Sequence, residues 1–223
     1  MASSEIAILI PAYNEENTIQ KVITETSPYG KVVVVDDCSI DRTFQIASNL
    51  NAIVLKNKKN LGYDFSLTRG VKYILDNNFK YFITFDADNQ HKSKYLENFI
   101  SIIRSDKFGV VIGDRNKINR ISEKLFNKIF YIFFEINDIL CGLKAYDVKI
   151  LKKLDEYNFK NSLGTRLALL IALNKISVKQ IKISINERKD ASRIGGLIKA
   201  NFKILTSLFV NIIEIIFWKK NAK

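Results

Sequence analysis

Apolar residues fall along this chain in two rhythms. Nearly uninterrupted runs rich in β-branched and aromatic residues occupy Ile6 to Ile10, Lys31 to Val35, Ala52 to Leu55, Tyr81 to Phe85 and Val110 to Gly113. Between them, residues 15–26, 41–49, 67–75 and 93–103 place apolar positions three and four apart. The first rhythm predicts strands buried on both faces, and the second predicts helices with one apolar stripe. Their alternation predicts an α/β fold: a Rossmann-like, mostly parallel sheet with helices on both faces.

Beyond residue 120 the pattern loosens. Residues 121–136 keep helical spacing but are apolar on more than one face, which fits a buried helix or one lying on lipid. A strand is expected over 143–146, a helix over 165–173 and an alternating strand over 178–185. From Leu197 to Trp218 the chain is amphipathic and closes on Trp218-Lys219-Lys220, the aromatic-plus-lysine ending of an interfacial anchor. These features divide the chain into a domain over 1–196 and a C-terminal amphipathic helix over 197–223. Packing of either amphipathic segment on its own domain, or on a second copy in a homo-oligomer, is the alternative.

The polar punctuation gathers where the strands end: Pro11-Ala12-Tyr13-Asn14-Glu15, Asp36-Asp37, Asp86-Ala87-Asp88 and Gly113-Asp114-Arg115. In an open parallel sheet, ligands sit at the carboxyl ends of the strands. Asp86 and Asp88 carry most information. Two carboxylates one residue apart behind an apolar strand raise each other's pKa unless a positive charge lies between them. A divalent cation with a diphosphate on its far side removes that conflict. Carboxylate and amide oxygens suit Mg²⁺ or Mn²⁺, with Asp86, Asp88 and Gln90 as the protein ligands. A solvated turn is the plain alternative.

Composition narrows the partners. The chain has 223 residues, 47% hydrophobic and 26% charged, enough for one sizeable core. Its formal net charge of +12 points to an anionic partner: nucleic acid, an acidic membrane surface or phosphorylated substrates. No nucleic-acid module or aromatic-basic stacking surface is recognisable, so nucleic acid is not expected. The two cysteines, Cys38 and Cys141, are too few for a disulfide framework, and no apolar stretch reaches the ~18–20 residues of a spanning helix. A cytoplasmic protein, peripheral on the cytoplasmic face of a membrane, is the expectation.

With Val35-Asp36-Asp37-Cys38-Ser39, Asn60-Leu61-Gly62, Asp138 to Lys144 and Arg188 to Arg193 added, the chain resembles family 2 glycosyltransferases of the GT-A fold over roughly residues 6 to 195. Within that family it looks most like the dolichyl-phosphate mannosyltransferase and polyprenyl-phosphate glycosyltransferase branch. The resemblance implies that Pro11, Tyr13 and Glu15 border a UDP- or GDP-sugar, with Val35 and Asp37 beside the base and Asp37 accepting from its ring N–H. Asp86, Asp88 and Gln90 match the metal and diphosphate site, with Ala87 against the nucleotide. Arg115 matches a basic residue facing the diphosphate or sugar, and Arg188, Ser192 and Arg193 match a segment closing over the phosphates. That segment is one residue shorter than in the family, and Arg193 replaces a Lys. A carboxylate frequent near Thr165-Arg166-Leu167 is missing. Asp138 matches an aspartate that acts as base or orients the acceptor; a polar turn residue is the alternative. Cys141 reads as packing, and His91, the only histidine, as structural beside the metal loop, with a general base as the alternative.

The implied reaction is inverting, metal-dependent transfer of a sugar to a polyprenyl phosphate, with Asp88 and Asp138 as the catalytic pair. A saccharide hydroxyl is the alternative acceptor and needs Asp138 to take its proton, whereas a phosphate arrives ionised and needs cations such as Lys124, Lys128 and Lys144. A nucleotide-sugar-binding subunit without catalysis is the non-enzymatic alternative.

Overall fold

The apolar runs form strands, as their pattern predicts. The structure, a computed structural model, describes residues 5–118, 120–154, 174–186 and 206. Strands β1 (Ile6–Ala12), β2 (Lys31–Asp36), β3 (Ile53–Lys56), β4 (Tyr81–Thr84), β5 (Val110–Arg115), β6 (Lys144–Asp147) and β7 (Val178–Ile183) make one sheet in the order β3-β2-β1-β4-β6-β5-β7. The helices are α1 (Ile19–Thr26), α2 (Thr43–Ser48), α3 (Tyr63–Asp76), α4 (Leu96–Ile103), α5 (Ile121–Phe134) and α6 (Val148–Leu154). Every residue of β1 is buried, and Val32 to Val35 of β2 are at most 1% exposed. Each such aliphatic side chain contributes about 1.5–3 kcal/mol relative to exposure. This is the α/β, Rossmann-like architecture that the alternation predicts, and it agrees with the GT-A fold that the resemblance implies.

Six strands run in one direction. The exception, β6, is antiparallel to both neighbours, with Lys144 opposite Thr84 of β4 and Ile112 of β5. Its reversal brings the residues that precede it, 138–143, to the edge where β4 and β5 end.

Several boundaries differ from the sequence expectation: α1 begins at Ile19, four residues late, α2 and α4 are trimmed by up to three residues at an end, and β7 stops at Ile183. Helix α3 begins at Tyr63, four residues before the apolar spacing does. Helix α6 follows β6 directly and was not expected. Helix α5 stops two residues early, because Glu135 turns left-handed at φ 58° and its carbonyl accepts from Gln180 Nε2 at 2.7 Å. The same helix resolves its ambiguous apolar pattern into two faces. Phe126 and Phe130 are fully buried, while Ile121, Leu125, Tyr131, Ile132 and Phe133 are exposed beside Lys124 and Lys128. The expected helix over 165–173, the tail over 197–223 and the boundary at 196 lie outside the described residues. Among the described residues, no helix is long and apolar enough to cross a membrane.

Candidate active site at the carboxyl edge of the sheet

From β1 the chain winds outward to β2 and β3 on one side, then returns to β4 on the other. The crevice between the ends of β1 and β4 is therefore a topological switch point, where open α/β sheets bind ligands. Three non-glycine residues take left-handed backbone at this edge: Asn14 (φ 53°), Cys38 (φ 62°) and Asn89 (φ 58°). Each lies within a few residues of the end of β1, β2 or β4. Such conformations cost energy and collect at functional edges.

The loops after β1 and β2 are stitched together. Asn14 N donates to Ser39 Oγ at 3.0 Å, Glu15 N donates to Thr43 Oγ1 at 2.7 Å, and Ile40 N donates to Asn14 Oδ1 at 2.9 Å. This holds Tyr13, partly buried, and Glu15, 7% exposed, beside Asp37. The buried Asp37 carboxylate accepts three hydrogen bonds. Oδ1 takes Asn57 Nδ2 at 2.8 Å and Leu61 N at 2.9 Å, and Oδ2 takes Gly62 N at 2.7 Å. Gly62 has φ 89°, which lets its N–H turn inward at little steric cost. A carboxylate offers about four acceptor positions, so one remains on Oδ2. Val35 departs from expectation: it is fully buried inside β2 and leaves no surface for a base to touch. Pro11 is likewise buried in β1, and Ala87 is 4% exposed.

Beyond β4 the chain forms the loop Asp86 to His91. Gln90 N donates to Asp88 Oδ1 at 3.1 Å and tightens the turn. Asn186, just past β7, clamps the loop: its Nδ2 donates to Asn89 O at 3.0 Å and its N to Gln90 O at 2.8 Å. Asp86 lies against Gly142, where a Cβ would overlap the carboxylate and force it to move. Its side chain is 29% exposed, and Oδ2 meets His91 Nε2 at 2.8 Å. Burial works to raise the Asp86 carboxyl, but His91, followed by Arg115 and Lys144, outweighs it and holds the pKa below the ordinary value. Among the described residues no cluster of three His, Cys, Asp or Glu side chains closes around one point. Two carboxylates with an amide nearby still fit Mg²⁺ or Mn²⁺, which keep few protein ligands and bind substrate phosphates and water with the rest.

Asp138 is fully buried, and all its acceptor positions are taken. Oδ2 accepts from Arg115 N at 3.3 Å and Arg115 Nε at 2.6 Å; Oδ1 accepts from Arg115 Nη2 at 2.9 Å and Asn127 Nδ2 at 3.0 Å. Arg115 Nη2 also donates to Glu123 Oε2 at 3.1 Å. Held in this way, Asp138 pairs with Arg115 and Asn127 and presents no exposed oxygen to an acceptor, unlike the base or acceptor-orienting group that the resemblance implies. Arg115, expected to face the diphosphate, is instead held by two carboxylates, which raise its pKa further against burial. At the head of β6, Lys144 is 5% exposed, and burial lowers its pKa against the pull of Asp138 and Asp86. Burial pushes the Cys141 thiol up to about 12, which suits packing and not nucleophilic attack.

Arg188, Ser192, Arg193 and Arg166 lie outside the described residues. The sequence reading missed Asn57, Glu123, Asn127 and Gly142. Glu123 and Asn127 were findable, because they stand four apart on the α5 face that carries Phe126 and Phe130.

The glycosyl transferase family 2 profile matches residues 7–167. The chain is 27% identical over 243 residues to a UDP-N-acetylglucosamine–dolichyl-phosphate N-acetylglucosaminyltransferase of Methanococcus voltae, covering 94% of this chain and 97% of that one. It is 24% identical over 237 residues to a dolichyl-phosphate beta-glucosyltransferase of Trichomonas vaginalis, covering 90% and 72%. In fold it is similar to glucosyl-3-phosphoglycerate synthase of Mycobacterium tuberculosis, crystallised with Mn²⁺, UDP-glucose and phosphoglyceric acid. That match has a TM-score of 0.74 and 16% identity, covering 94% of this chain and 80% of that one.

Proposed function

The chain belongs to glycosyl transferase family 2 and is a glycosyltransferase, and we propose from this premise that it moves a sugar from a UDP-sugar to a polyprenyl phosphate at a membrane surface. The observation that carries the acceptor is the saturation of Asp138. A hydroxyl acceptor needs a nearby group to take its proton, whereas a phosphate monoester arrives ionised and attacks without one. Its oxygen bonds to the anomeric carbon as the bond from that carbon to the nucleoside diphosphate breaks, so the diphosphate leaves from the opposite face with inversion. Both relatives named above as transferases carry a dolichyl phosphate in their names.

Asp37 favours uracil. One free acceptor position matches the single ring N–H of uracil, whereas guanine presents a ring N–H and an amino N–H side by side. Asp86, Asp88 and Gln90 are the residues that would hold Mg²⁺ or Mn²⁺, which when bound neutralises charge on the departing diphosphate. Lys144, with Lys124 and Lys128, supplies cations for the acceptor phosphate, and Arg188 and Arg193 for the donor phosphates.

The exposed row on α5, apolar with two lysines, fits an anionic lipid surface and gives a polyprenyl tail an apolar neighbour. The test is a panel of UDP- and GDP-sugars with Mn²⁺ and polyprenyl phosphate in liposomes, read as nucleotide release and as glycosylated lipid by mass spectrometry. Metal-dependent UDP release with a lipid-phosphate product is expected. Transfer only to saccharide hydroxyls, or only from GDP-sugars, overturns the corresponding half of the proposal.

A further inference from the structure

His91 is 3% exposed, and its two ring nitrogens have different fates. Nε2 lies 2.8 Å from Asp86 Oδ2; Nδ1 is buried without a hydrogen-bond partner. A carboxylate oxygen only accepts, so the proton of this bond sits on Nε2. The ring stands edge-on to Phe85, with centroids 5.7 Å apart and planes at 67°. Around Asp86, Gly142 leaves space for the carboxylate, His91 takes one oxygen, and Asn186 clamps the loop that carries both. Oδ1 accepts no hydrogen bond from another described residue.

A histidine present for packing alone is a poor choice here, since the unpaired Nδ1 weakens the core that a phenyl ring would fill equally well. What imidazole adds is one directed donor. We propose that His91 is a positioning residue for the metal site: its Nε2–H fixes Asp86 through Oδ2 and leaves Oδ1 set for a divalent cation. Groups that hydrogen-bond a ligating carboxylate typically change metal affinity 10- to 100-fold when removed. The inference rests on Asp86 being a metal ligand, as proposed above.

The test measures Mn²⁺ binding to the full chain in the presence of UDP, by electron paramagnetic resonance of free Mn²⁺, with near-ultraviolet circular dichroism as the fold check. His91→Phe keeps the ring against Phe85 and removes the donor; Mn²⁺ affinity should fall about 10- to 100-fold, with metal-free Tm unchanged or higher. His91→Gln places an amide nitrogen near the Nε2 position and should restore most of the affinity. His91→Asn reaches only the Nδ1 position and should not. A Phe variant that binds Mn²⁺ as the wild type does overturns the role of His91 alone. Gln and Asn variants equally weak overturn it too, and this comparison decides if the Phe variant does not fold. Wild-type protein that fails to bind Mn²⁺ with UDP overturns the metal site itself and this inference with it.

Discussion

Arg115 and Asp138 form a closed pair: the guanidinium meets both carboxylate oxygens, at 2.6 Å from Nε and 2.9 Å from Nη2. Replacing Asp138 by Asn turns one acceptor into a donor that faces a cation inside the protein. Asp138→Asn should cost about 3–5 kcal/mol of stability, read by urea denaturation. Its activity loss should persist at high pH, because the residue's contribution is to hold Arg115. Recovery of turnover with rising pH, seen in the pH–rate profile, would restore Asp138 as a base and with it a hydroxyl acceptor.

Asp88 sits partly exposed in a turn, so its loss opens no cavity. Asp88→Ala should lower metal-free stability by about 0.5–1.5 kcal/mol, the scale of the lost Gln90 N–H bond, and lower turnover by at least ~10²-fold. The rise in Tm that Mn²⁺ and UDP give the wild type should disappear, since that rise is mass action of binding. Normal turnover in the folded variant removes Asp88 from the site.

The Lys144 side chain makes no hydrogen bond or ion pair with another described residue, and burial lowers its pKa. Lys144→Met should therefore raise Tm, by roughly 2–4 °C for each kcal/mol of relieved strain in a chain of this size. The same variant should raise KM for the lipid phosphate. Stability gained together with acceptor affinity lost is the signature of a cation kept for its ligand; an unchanged KM excludes Lys144 from the acceptor site.

Cys141 gives a pH dependence with a definite sign. Its thiol has an ordinary value of 9.0 and is pushed up to about 12 by burial, so the folded state keeps a proton that the unfolded state releases. The associated stability is complete below pH 9 and is lost as pH rises toward 12. Cys141→Ala should flatten this part of the alkaline unfolding curve. Equal alkaline sensitivity in both proteins assigns the effect elsewhere.

The outward row of α5 is testable by charge. Ile132→Glu with Phe133→Glu places two acids on a surface now 67% and 48% exposed at those positions, so folding should be undisturbed. Co-sedimentation with anionic liposomes at low salt should weaken, since each basic residue near such a surface contributes about 1 kcal/mol and each acid opposes it. Binding equal to wild type moves the lipid contact away from α5.

The strands of the central sheet were legible because burial on both faces leaves a continuous apolar run, as Ile6 to Ile10 and Val32 to Val35 show. The direction of β6 was not. Lys144-Ala145-Tyr146-Asp147 has the same pattern read either way, and only its pairing with Thr84 and Ile112 sets its sense. The start of α3 was hidden because its first turn carries exposed Tyr63 and Phe65 on a face with no apolar period. At the site, Asp86, Asp88 and Asp37 announced themselves by following strands. The role of Asp138 depends on Arg115 and Asn127, 23 and 11 residues away, and no local pattern carries that information.

The reversed strand also bears on the order of events in folding. Thr84 Oγ1 donates to Gly142 O across 58 residues of chain, and the same approach seats Asp86 against Gly142. Loop closure of that length carries an entropic cost that nearest-neighbour pairings such as β1 with β2 avoid. The seat of Asp86 against Gly142 is thus a product of long-range closure, completed only when the segment before β6 has met the end of β4.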